Sequence, residues 1–143
     1  MQPLELRPLT LADCAVLERV FGEVPGNLDP RAELARELTR SWVACDESGP
    51  LGFALAWWVV DELELLAIAI LPEARRRGIA RRLLEELCSW ARGAGAHRVT
   101  LEVARSNAPA RALYENAGFA EFNVRRGYYR ATGDDALEME LVF

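Results

Sequence analysis

An apolar run followed by an arginine-rich turn constrains the fold of this chain more than any other feature. The apolar run covers residues 63–71, and the segment R-R-R-G-I-A over 75–80 opens an amphipathic helical pattern at Ile79. This order predicts a buried strand, a tight turn and the N-terminus of a helix. The first N–H groups of a helix lack intrahelical partners and carry partial positive charge, so a phosphate can accept several hydrogen bonds there.

The composition of the turn favours a pyrophosphate as that anion. Gly78 lets a phosphate approach the backbone, the small Ala80 keeps the first helical turn open, and the arginines offer forked, permanently charged donors. The turn lacks the Gly-Lys-Ser/Thr ending of a P-loop and the G-x-G-x-x-G spacing of a dinucleotide fingerprint. A solvated arginine cluster beside an ordinary glycine turn is the alternative interpretation.

Composition limits the class of protein. A chain of 143 residues with a formal net charge of −5 predicts one domain, over 1–143. The negative charge argues against general nucleic-acid or membrane-surface binding, because both require a basic face. The chain contains no lysine, so Schiff-base chemistry is excluded. Its three cysteines form no C-x-x-C pair, which predicts neither a disulfide framework nor a zinc site and fits a cytoplasmic setting. Neither a leader peptide nor a membrane span is indicated.

Periodicity and capping residues predict helices and strands along the whole chain. Thr10 or Asp13 is expected to cap the first helix. The apolar pattern of the strand over 63–71 changes phase between Leu65 and Leu66, which predicts either a β-bulge or a strand buried on both faces. The predicted elements are a strand over 4–7, a helix ending at 21, a loop over 22–30, a helix over 31–40, a hairpin of strands 42–45 and 51–60, a strand over 63–71, a helix from 79, a strand over 98–103, a helix over 108–117 and antiparallel strands over 119–129 and 136–142.

Two residues with reactive side chains have structural explanations. Cys88 lies beside Leu84 on the apolar side of the helix that begins at Ile79, so we interpret it as a core thiol. His97 follows Gly95 between a helix and a strand, so we interpret it as a surface loop residue.

Several motifs follow in a fixed order between Asp61 and Met139. After the apolar strand come R-x-x-G-x-A at a helix start, L-E-V at a strand end, S-N-x-x-A-x-x-L-Y-E on a short helix and an A-G-F turn. This ordered set resembles the GNAT acetyltransferases. The ending R-R-G-Y-Y-R followed by D-D-A is similar to that of RimI-type members, which acetylate the N-terminal alanine of a ribosomal protein.

The resemblance implies a fold and a cofactor site. The fold is α/β (α+β): a mixed, mostly antiparallel sheet flanked by helices, whose central strands splay apart around acetyl-coenzyme A (acetyl-CoA). Main-chain groups of the apolar strand would hold the pantetheine arm, and the turn would hold the pyrophosphate. Asn107 would contact the cofactor near its reacting end, cap its helix, or both. The implied cofactor-binding residues are Ile68, Ala69, Ile70, Arg76, Arg77, Gly78, Ile79, Ala80, Arg81 and Asn107; no metal is implied.

Acetyl transfer to an amine requires a neutral nucleophile and a proton for the departing thiolate. An α-amine, with a reference pKa of about 7.7 to 8, is easier to deprotonate than a lysine at about 10.4. Glu102 ends a strand on the face opposite Val99 and Leu101 and is the candidate base; a solvent-facing strand glutamate is the alternative. The resemblance assigns the acid role to Tyr114, whose helical position also fits a core tyrosine.

The predicted reaction is acetylation of a protein N-terminal α-amine, preferably alanine, in a small-subunit ribosomal protein. Two departures from RimI-type sequences lie near the expected acceptor entry. Ala67 replaces the usual asparagine, and V-P-G-N over 24–27 replaces an aromatic Pro-Trp segment. The alternatives are a lysine or small-amine acetyltransferase and a non-catalytic acetyl-CoA sensor, which would need neither Glu102 nor Tyr114.

An acidic cluster precedes the apolar run. Asp61, Glu62 and Glu64 could attract a cationic peptide, or they could keep an exposed strand end soluble. The predicted partners are acetyl-CoA and a protein or peptide N-terminus, without nucleic acid or membrane. The sequence indicates no particular oligomeric state.

Overall fold

The helices and strands follow one another in an order close to the predicted one in the computed structural model, which describes residues 3–24 and 28–143. Within those ranges the elements are β1 (Glu5–Arg7), α1 (Leu11–Leu17), a 3₁₀-helix (Glu18–Glu23), α2 (Pro30–Glu33), β2 (Thr39–Asp46), β3 (Gly49–Val59), β4 (Glu62–Ile70), a second 3₁₀-helix (Pro72–Ala74), α3 (Ile79–Gly93), β5 (Arg98–Ala104), α4 (Ala108–Asn116), β6 (Ala120–Tyr129) and β7 (Asp134–Val142).

The strands form one mixed sheet in the order β1-β2-β3-β4-β5-β7-β6. Among the described strands, β4 and β5 pair in parallel, and every other neighbouring pair is antiparallel. The last strand, β7, inserts between β5 and β6. The predicted mixed, mostly antiparallel sheet is therefore confirmed. In the part of the chain that the structure describes, no helix is both long and apolar enough to cross a membrane.

A β-bulge at Leu66 interrupts the pairing of β3 with β4. Ala56 lies opposite Leu65 and Leu55 lies opposite Ala67, so Leu66 is the additional residue. One additional residue reverses the alternation of side chains from that point onward. The apolar residues on either side of the bulge therefore share one face of the sheet: Leu63, Leu65, Ile68 and Ile70. The predicted bulge is confirmed, and it explains the change of phase in the sequence.

The two central strands separate soon after they begin. β4 and β5 pair from Glu62 with Arg98 to Leu65 with Leu101. Beyond these residues β4 continues along β3, whereas β5 continues along β7. Because each strand follows a different neighbour, a gap opens between them, as the resemblance implied.

Helices cover the sheet from both sides. Trp90 of α3 packs edge-on against Trp58 of β3, with ring centroids 5.4 Å apart. A cavity between α3 and α4 is lined by Leu141 of β7, so α4 lies on the same side, which we call the α3 face. On the opposite side Phe21, just after α1, packs against Phe53 of β3 with centroids 5.8 Å apart. We call this second side the α1 face.

Thr10 caps α1 as predicted. Its side chain accepts from the Asp13 N–H at 3.3 Å, and the Asp13 carboxylate accepts from the Thr10 N–H at 2.8 Å. Arg7 donates to both carboxylate oxygens of the buried Asp13, at 2.7 and 2.8 Å. These hydrogen bonds from Arg7 hold the pKa of Asp13 down at about 2. The pair therefore links β1 to α1 through a charged contact that exists only when Asp13 is ionised.

The helix predicted over 31–40 is wrong, because α2 ends at Glu33. Two long-range contacts explain the difference. The buried carboxylate of Glu33 accepts a hydrogen bond from Nε1 of Trp57 at 2.6 Å. The Trp58 N–H donates to the Leu38 carbonyl at 2.7 Å, which draws the chain into register with β3. Sheet pairing thus overrides the local helical pattern.

The helices on the α3 face match the predictions more closely. α3 begins at Ile79 as predicted, and its buried residues lie on one apolar side of the helix: Ile79, Leu83, Leu84, Leu87 and Ala91. The side chain of Asn107 caps α4 by accepting from the Ala110 N–H at 3.2 Å. Gly118, with a φ of 99°, follows the end of α4.

Candidate active site

The turn between β4 and α3, which we call the arginine turn (residues 75–81), contains two left-handed backbone conformations. Arg76 has a φ of 64°, and Gly78, the N-cap of α3, has a φ of 74°. Gly78 offers no side chain to the first helical turn, so the initial N–H groups of α3 are available to a ligand. A Cβ added to Gly78 would meet no heavy atom within 4 Å. The turn is open at the point where a phosphate would approach.

Arg75 fixes the arginine turn to the rest of the fold. Its Nε donates to the Ile70 carbonyl at 3.2 Å, and a terminal nitrogen pairs with Glu23 at 2.9 Å. This side chain is therefore directed towards the end of β4 and the 3₁₀-helix after α1. Its role in the structure is to shape the turn.

The other arginines of the turn point in different directions. Arg77 pairs with Asp46 at 3.1 Å and Arg81 pairs with Glu85 at 2.9 Å. Arg76 forms no ion pair with any residue in the described ranges. The Arg81–Glu85 pair is exposed, and because exposed ion pairs are weak, a phosphate can recruit Arg81 at little cost.

A cavity of about 210 Å³ lies against the arginine turn. Leu113 of α4 contributes to its wall. Six of the ten predicted cofactor residues meet there: Ile70, Arg76, Gly78, Ile79, Ala80 and Arg81. Arg77 lies in an adjoining cavity of about 480 Å³, which Gly78 and Arg81 also line.

The main chain of β4 offers polar groups to the gap between the central strands. The Leu71 N–H donates to the Leu51 carbonyl of β3 at 2.8 Å. Every second residue of an antiparallel strand bonds to the same neighbour, so Ala69 also turns its N–H and C=O groups towards β3. By this alternation Ala69 is bonded to β3, whereas the main-chain groups of Ile68 and Ile70 face the gap. Two of the three predicted pantetheine contacts thus face the gap, although the Ile70 carbonyl already accepts a hydrogen bond from Arg75.

Glu102 lines a cavity of about 350 Å³ on the α1 face. The carboxylate side chain is 35% exposed, and its Oε1 lies 3.7 Å from a terminal nitrogen of Arg125. β4, β5 and β6 all contribute to the cavity. Its other lining residues are Leu28, Glu64, Leu65, Leu66, Tyr128 and Tyr129.

Carboxylates outnumber cations around this cavity. Arg125 donates to Glu138 at 2.6 Å and is also the neighbour of Glu102. Glu64 is half-buried, and burial raises its pKa; the negative charges of Glu102 and Glu138 raise it further. A cavity with this balance of charge favours a cationic ligand over an anionic one.

Tyr114 lies on the opposite side of the sheet, on α4. It is 9% exposed and packs against Phe119 with ring centroids 5.9 Å apart. Burial raises the pKa of its phenol to about 12, so the hydroxyl keeps its proton at neutral pH. Tyr114 lines neither cavity, but its neighbour Leu113 lines the one at the arginine turn. Tyr114 and Glu102 thus lie on opposite sides of the sheet, and the gap between β4 and β5 separates the strands between them.

The acidic cluster noted in the sequence does not stay together. Asp61 contacts His97 at 2.9 Å, and Glu62 pairs with Arg98 at 2.9 Å. Of the three acidic residues, Glu64 alone lines the cavity on the α1 face. The side chain of His97 is 76% exposed, which confirms its position at the surface.

Cys88 is half-buried beside a cavity of about 530 Å³ between α3 and α4, and burial raises the pKa of its thiol to about 11. It therefore packs as a thiol, as predicted. Residues 25–27 of the V-P-G-N segment lie outside the described residues. Within the ranges that the structure describes, no group of three or more histidine, cysteine, aspartate or glutamate residues is arranged to hold a metal ion.

Sequence reasoning missed the residues that complete the Glu102 cavity. Tyr128 and Tyr129 were noted only as part of an ending shared with a family. Arg125 was noted only as part of the same ending, and Glu138 was not singled out, although it lies directly opposite Glu102 in the β5–β7 register; both residues lie beside the cavity without lining it. The available signal was the alternation in the middle of β7, where Leu137, Met139 and Leu141 alternate with Glu138 and Glu140.

Comparison with known proteins defines the class to which this fold and site belong. Residues 13–119 match the model of the acetyltransferase (GNAT) family, and the chain belongs to this family. GNAT proteins use acetyl-CoA as the acetyl donor. A protein of the same fold, a putative streptothricin acetyltransferase from Bacillus anthracis, was solved in complex with acetyl coenzyme A; it is 16% identical, with a TM-score of 0.81 and coverage of 99% of each chain.

Two relatives and one further solved structure are more similar in sequence to this chain. The [ribosomal protein bS18]-alanine N-acetyltransferase of Escherichia coli is 44% identical over 91 residues, and the chain spans 62% of the length of that curated relative. The N-alpha-acetyltransferase RimI of Mycobacterium tuberculosis is 39% identical over 151 residues, covering 96% of this chain and 92% of that protein. The crystal structure of the E. coli ribosomal-protein-S18-alanine N-acetyltransferase matches with a TM-score of 0.85 and 30% identity, covering 98% of this chain and 94% of the other.

Proposed function

We propose that this protein transfers the acetyl group of acetyl-CoA to the N-terminal α-amine of a protein, preferably alanine, and that its acceptor is a small-subunit ribosomal protein in the cytoplasm. The observation that carries the proposal is the position of Glu102. Its carboxylate lines a cavity on the α1 face, and the arginine turn, the proposed pyrophosphate site, leads into α3 on the other side of the sheet. The acceptor is inferred from the names of two similar relatives, a [ribosomal protein bS18]-alanine N-acetyltransferase and an N-alpha-acetyltransferase.

The residues at the arginine turn fit acetyl-CoA as a substrate. The free N–H groups at the start of α3 would donate hydrogen bonds to the pyrophosphate, with Gly78 leaving space for its approach. Arg76, Arg77 and Arg81 would add charge-assisted hydrogen bonds. The outward main-chain groups of Ile68 and Ile70 would bind the pantetheine amides as an additional strand binds a sheet edge.

Glu102 would remove a proton from the acceptor amine, directly or through a water molecule. The acceptor arrives as an ammonium and loses two protons overall. One proton passes through Glu102 to solvent, and the amine nitrogen then forms its bond to the acetyl carbon. When the C–S bond breaks, Tyr114 gives its proton to the departing sulfur. The second proton of the acceptor nitrogen then passes to Tyr114 and restores its phenol. Tyr114 suits this role because its raised pKa, about 12, keeps the phenol protonated at neutral pH.

Asn107 already accepts a hydrogen bond from the Ala110 N–H, so its first role is to fix the start of α4. Through this cap Asn107 would fix the position of α4 and therefore of Tyr114, which lies on the same helix. Contact with the cofactor would be an additional role.

The cavity on the α1 face favours a slender chain end as acceptor. Its volume, about 350 Å³, is small, and Leu28, Tyr128 and Tyr129 limit its width. A bulky first side chain would displace the nitrogen from the thioester, and a misplacement of about 1 Å can cost about 100-fold in rate. The acidic surroundings favour a basic residue after the first.

A competition between peptides tests the proposal. Purified protein and labelled acetyl-CoA are incubated with peptides beginning with alanine, serine, glutamate or leucine, and with an N-terminally blocked peptide that carries an internal lysine. We expect the alanine peptide to be labelled fastest and the blocked peptide slowest. Preferential labelling of the blocked peptide would instead indicate a lysine acetyltransferase. Binding of acetyl-CoA without transfer to any peptide would indicate a sensor.

A further inference from the structure

One carboxylate in the cavity on the α1 face has no cation beside it. Four neighbouring carboxylates on that face lie within 4 Å of an arginine: Glu62 and Glu140 beside Arg98, and Glu102 and Glu138 beside Arg125. Glu64 forms neither an ion pair nor a hydrogen bond with any residue of the described ranges. The residues outside those ranges carry no basic side chain: Met1, Gln2, Pro25, Gly26 and Asn27.

The surroundings of Glu64 compensate only in part for this missing partner: burial and the charges of Glu102, Glu138 and Glu62 raise its pKa, whereas the charge of Arg125 lowers it. Its neighbours across the sheet are Trp57 of β3 and Thr100 of β5. The indole N–H of Trp57 is already committed to Glu33 at 2.6 Å. A half-buried carboxylate without a counter-ion is costly, and a cation in the cavity would reduce that cost.

We propose that Glu64 binds the acceptor amine in its ammonium form and holds it beside Glu102. This inference rests on the proposed function, since it assigns a residue to recognition of the acceptor. Glu64 and Glu102 line the same cavity from adjacent parallel strands. The two carboxylates have different roles. Glu64 binds the charged ammonium in the ground state, and Glu102 accepts the proton whose loss makes the nitrogen nucleophilic.

This division predicts a specific kinetic signature. The contact with Glu64 is strongest before deprotonation and weaker in the transition state, so its loss raises KM and does not lower kcat. The contact also depends on the charge of the amine. An α-amine has a reference pKa of about 7.7 to 8, so the effect should be large at pH 6.5 and should fade at pH 9.

The experiment compares Glu64→Gln with Glu62→Gln in the full chain. Glu62 is the matched control, because it lies on the same strand and face but already pairs with Arg98 outside the cavity. The wild-type protein is first offered a peptide that begins with alanine and has no basic side chain, the blocked lysine peptide and a linear polyamine. Steady-state kcat and KM are then measured at pH 6.5 and pH 9 for the amine that it acetylates fastest.

For the alanine peptide we expect Glu64→Gln to raise KM about 10- to 100-fold at pH 6.5, the loss expected for a hydrogen bond to a charged group. At pH 9 the increase should shrink to about 2- to 10-fold, because only about a tenth of the α-amine is still charged. Glu62→Gln should leave KM unchanged at both values. Thermal unfolding of both variants checks that the fold is intact.

Three results would overturn the inference: an unchanged KM in Glu64→Gln, the same increase at both pH values, or a fall in kcat without a change in KM. If the wild type prefers the lysine peptide or the polyamine, the proposed function fails but the role of Glu64 is still measured on that amine. For an amine with a pKa of about 10.4 the increase in KM should persist at pH 9. Failure to acetylate any of the three amines would contradict both proposals.

Discussion

Replacing Gly78 by alanine should separate cofactor binding from folding. Gly78 has a φ of 74°, and a left-handed conformation costs an L-residue about 1 to 2 kcal/mol. Gly95 has a φ of 86°, and an added Cβ meets no atom within 4 Å at either glycine. Gly78→Ala and Gly95→Ala should therefore reduce the free energy of unfolding by similar amounts.

Only the change at Gly78 should affect acetyl-CoA. Gly78 lines both cavities beside the arginine turn, so a methyl group there occupies the path of the pyrophosphate. Displacing the phosphate from one N–H removes a hydrogen bond to a charged group, worth about 1.5 to 3 kcal/mol, which corresponds to about 10- to 150-fold in Kd. Gly95→Ala should bind acetyl-CoA as the wild type does.

Calorimetric titration with acetyl-CoA gives Kd for each variant, and urea unfolding gives the stability. The reasoning is refuted if Gly78→Ala binds as tightly as Gly95→Ala while both are folded. It is also refuted if both variants lose affinity equally, because the loss would then follow from reduced stability. Gly78→Val should show the same pattern with a larger loss of affinity.

Three further predictions concern the catalytic residues and stability. Glu102→Gln should lower turnover about 10²- to 10⁴-fold with acetyl-CoA binding intact, and the loss should be greatest at low pH, where the amine is mostly protonated; wild-type rates in a stopped-flow thiol assay would remove Glu102 as the base. Tyr114→Phe should lower turnover by a similar factor, and since the phenol pKa is raised to about 12, the defect should persist across pH 7 to 9 in the same assay. Asp13, whose pKa is lowered to about 2, stabilises the fold by about 2 kcal/mol above pH 4, and that contribution disappears as the pH falls towards 2. Urea unfolding of Asp13→Asn should therefore show lower stability at pH 6 and a flatter dependence between pH 4 and pH 2; an unchanged stability at pH 6 would contradict the role of the Arg7 pair.

The parts of the fold that were predictable are those governed by local pattern. The start of α3 at Ile79 and the bulge at Leu66 both follow from the spacing of apolar residues over short distances. The helix over 31–40 failed for the opposite reason. Glu33 accepts its hydrogen bond from Trp57, far along the chain, and no local window contains that information.

The same distinction applies to the candidate site. The arginine turn is one contiguous segment, so its residues could be proposed together from the sequence. The walls of the Glu102 cavity come from separate strands. β7 lies beside β5 because it inserts between β5 and β6 in the sheet. Arg125 and Glu138 become neighbours of Glu102 through that strand order. Their positions depend on topology, which spacing along the sequence does not specify.

The bulge residue Leu66 lies between the proposed cofactor site and the cavity of Glu102. β4 stops pairing with β5 at Leu65, immediately before the bulge at Leu66. Beyond the bulge the outward main-chain groups of Ile68 and Ile70 face the gap that acetyl-CoA would enter, and the side chain of Leu66 itself lines the cavity of Glu102. Because the bulge also returns Ile68 and Ile70 to the α3 face, the core under α3 is preserved while the strands separate. The strand can therefore open its edge to a substrate without exposing its apolar side chains.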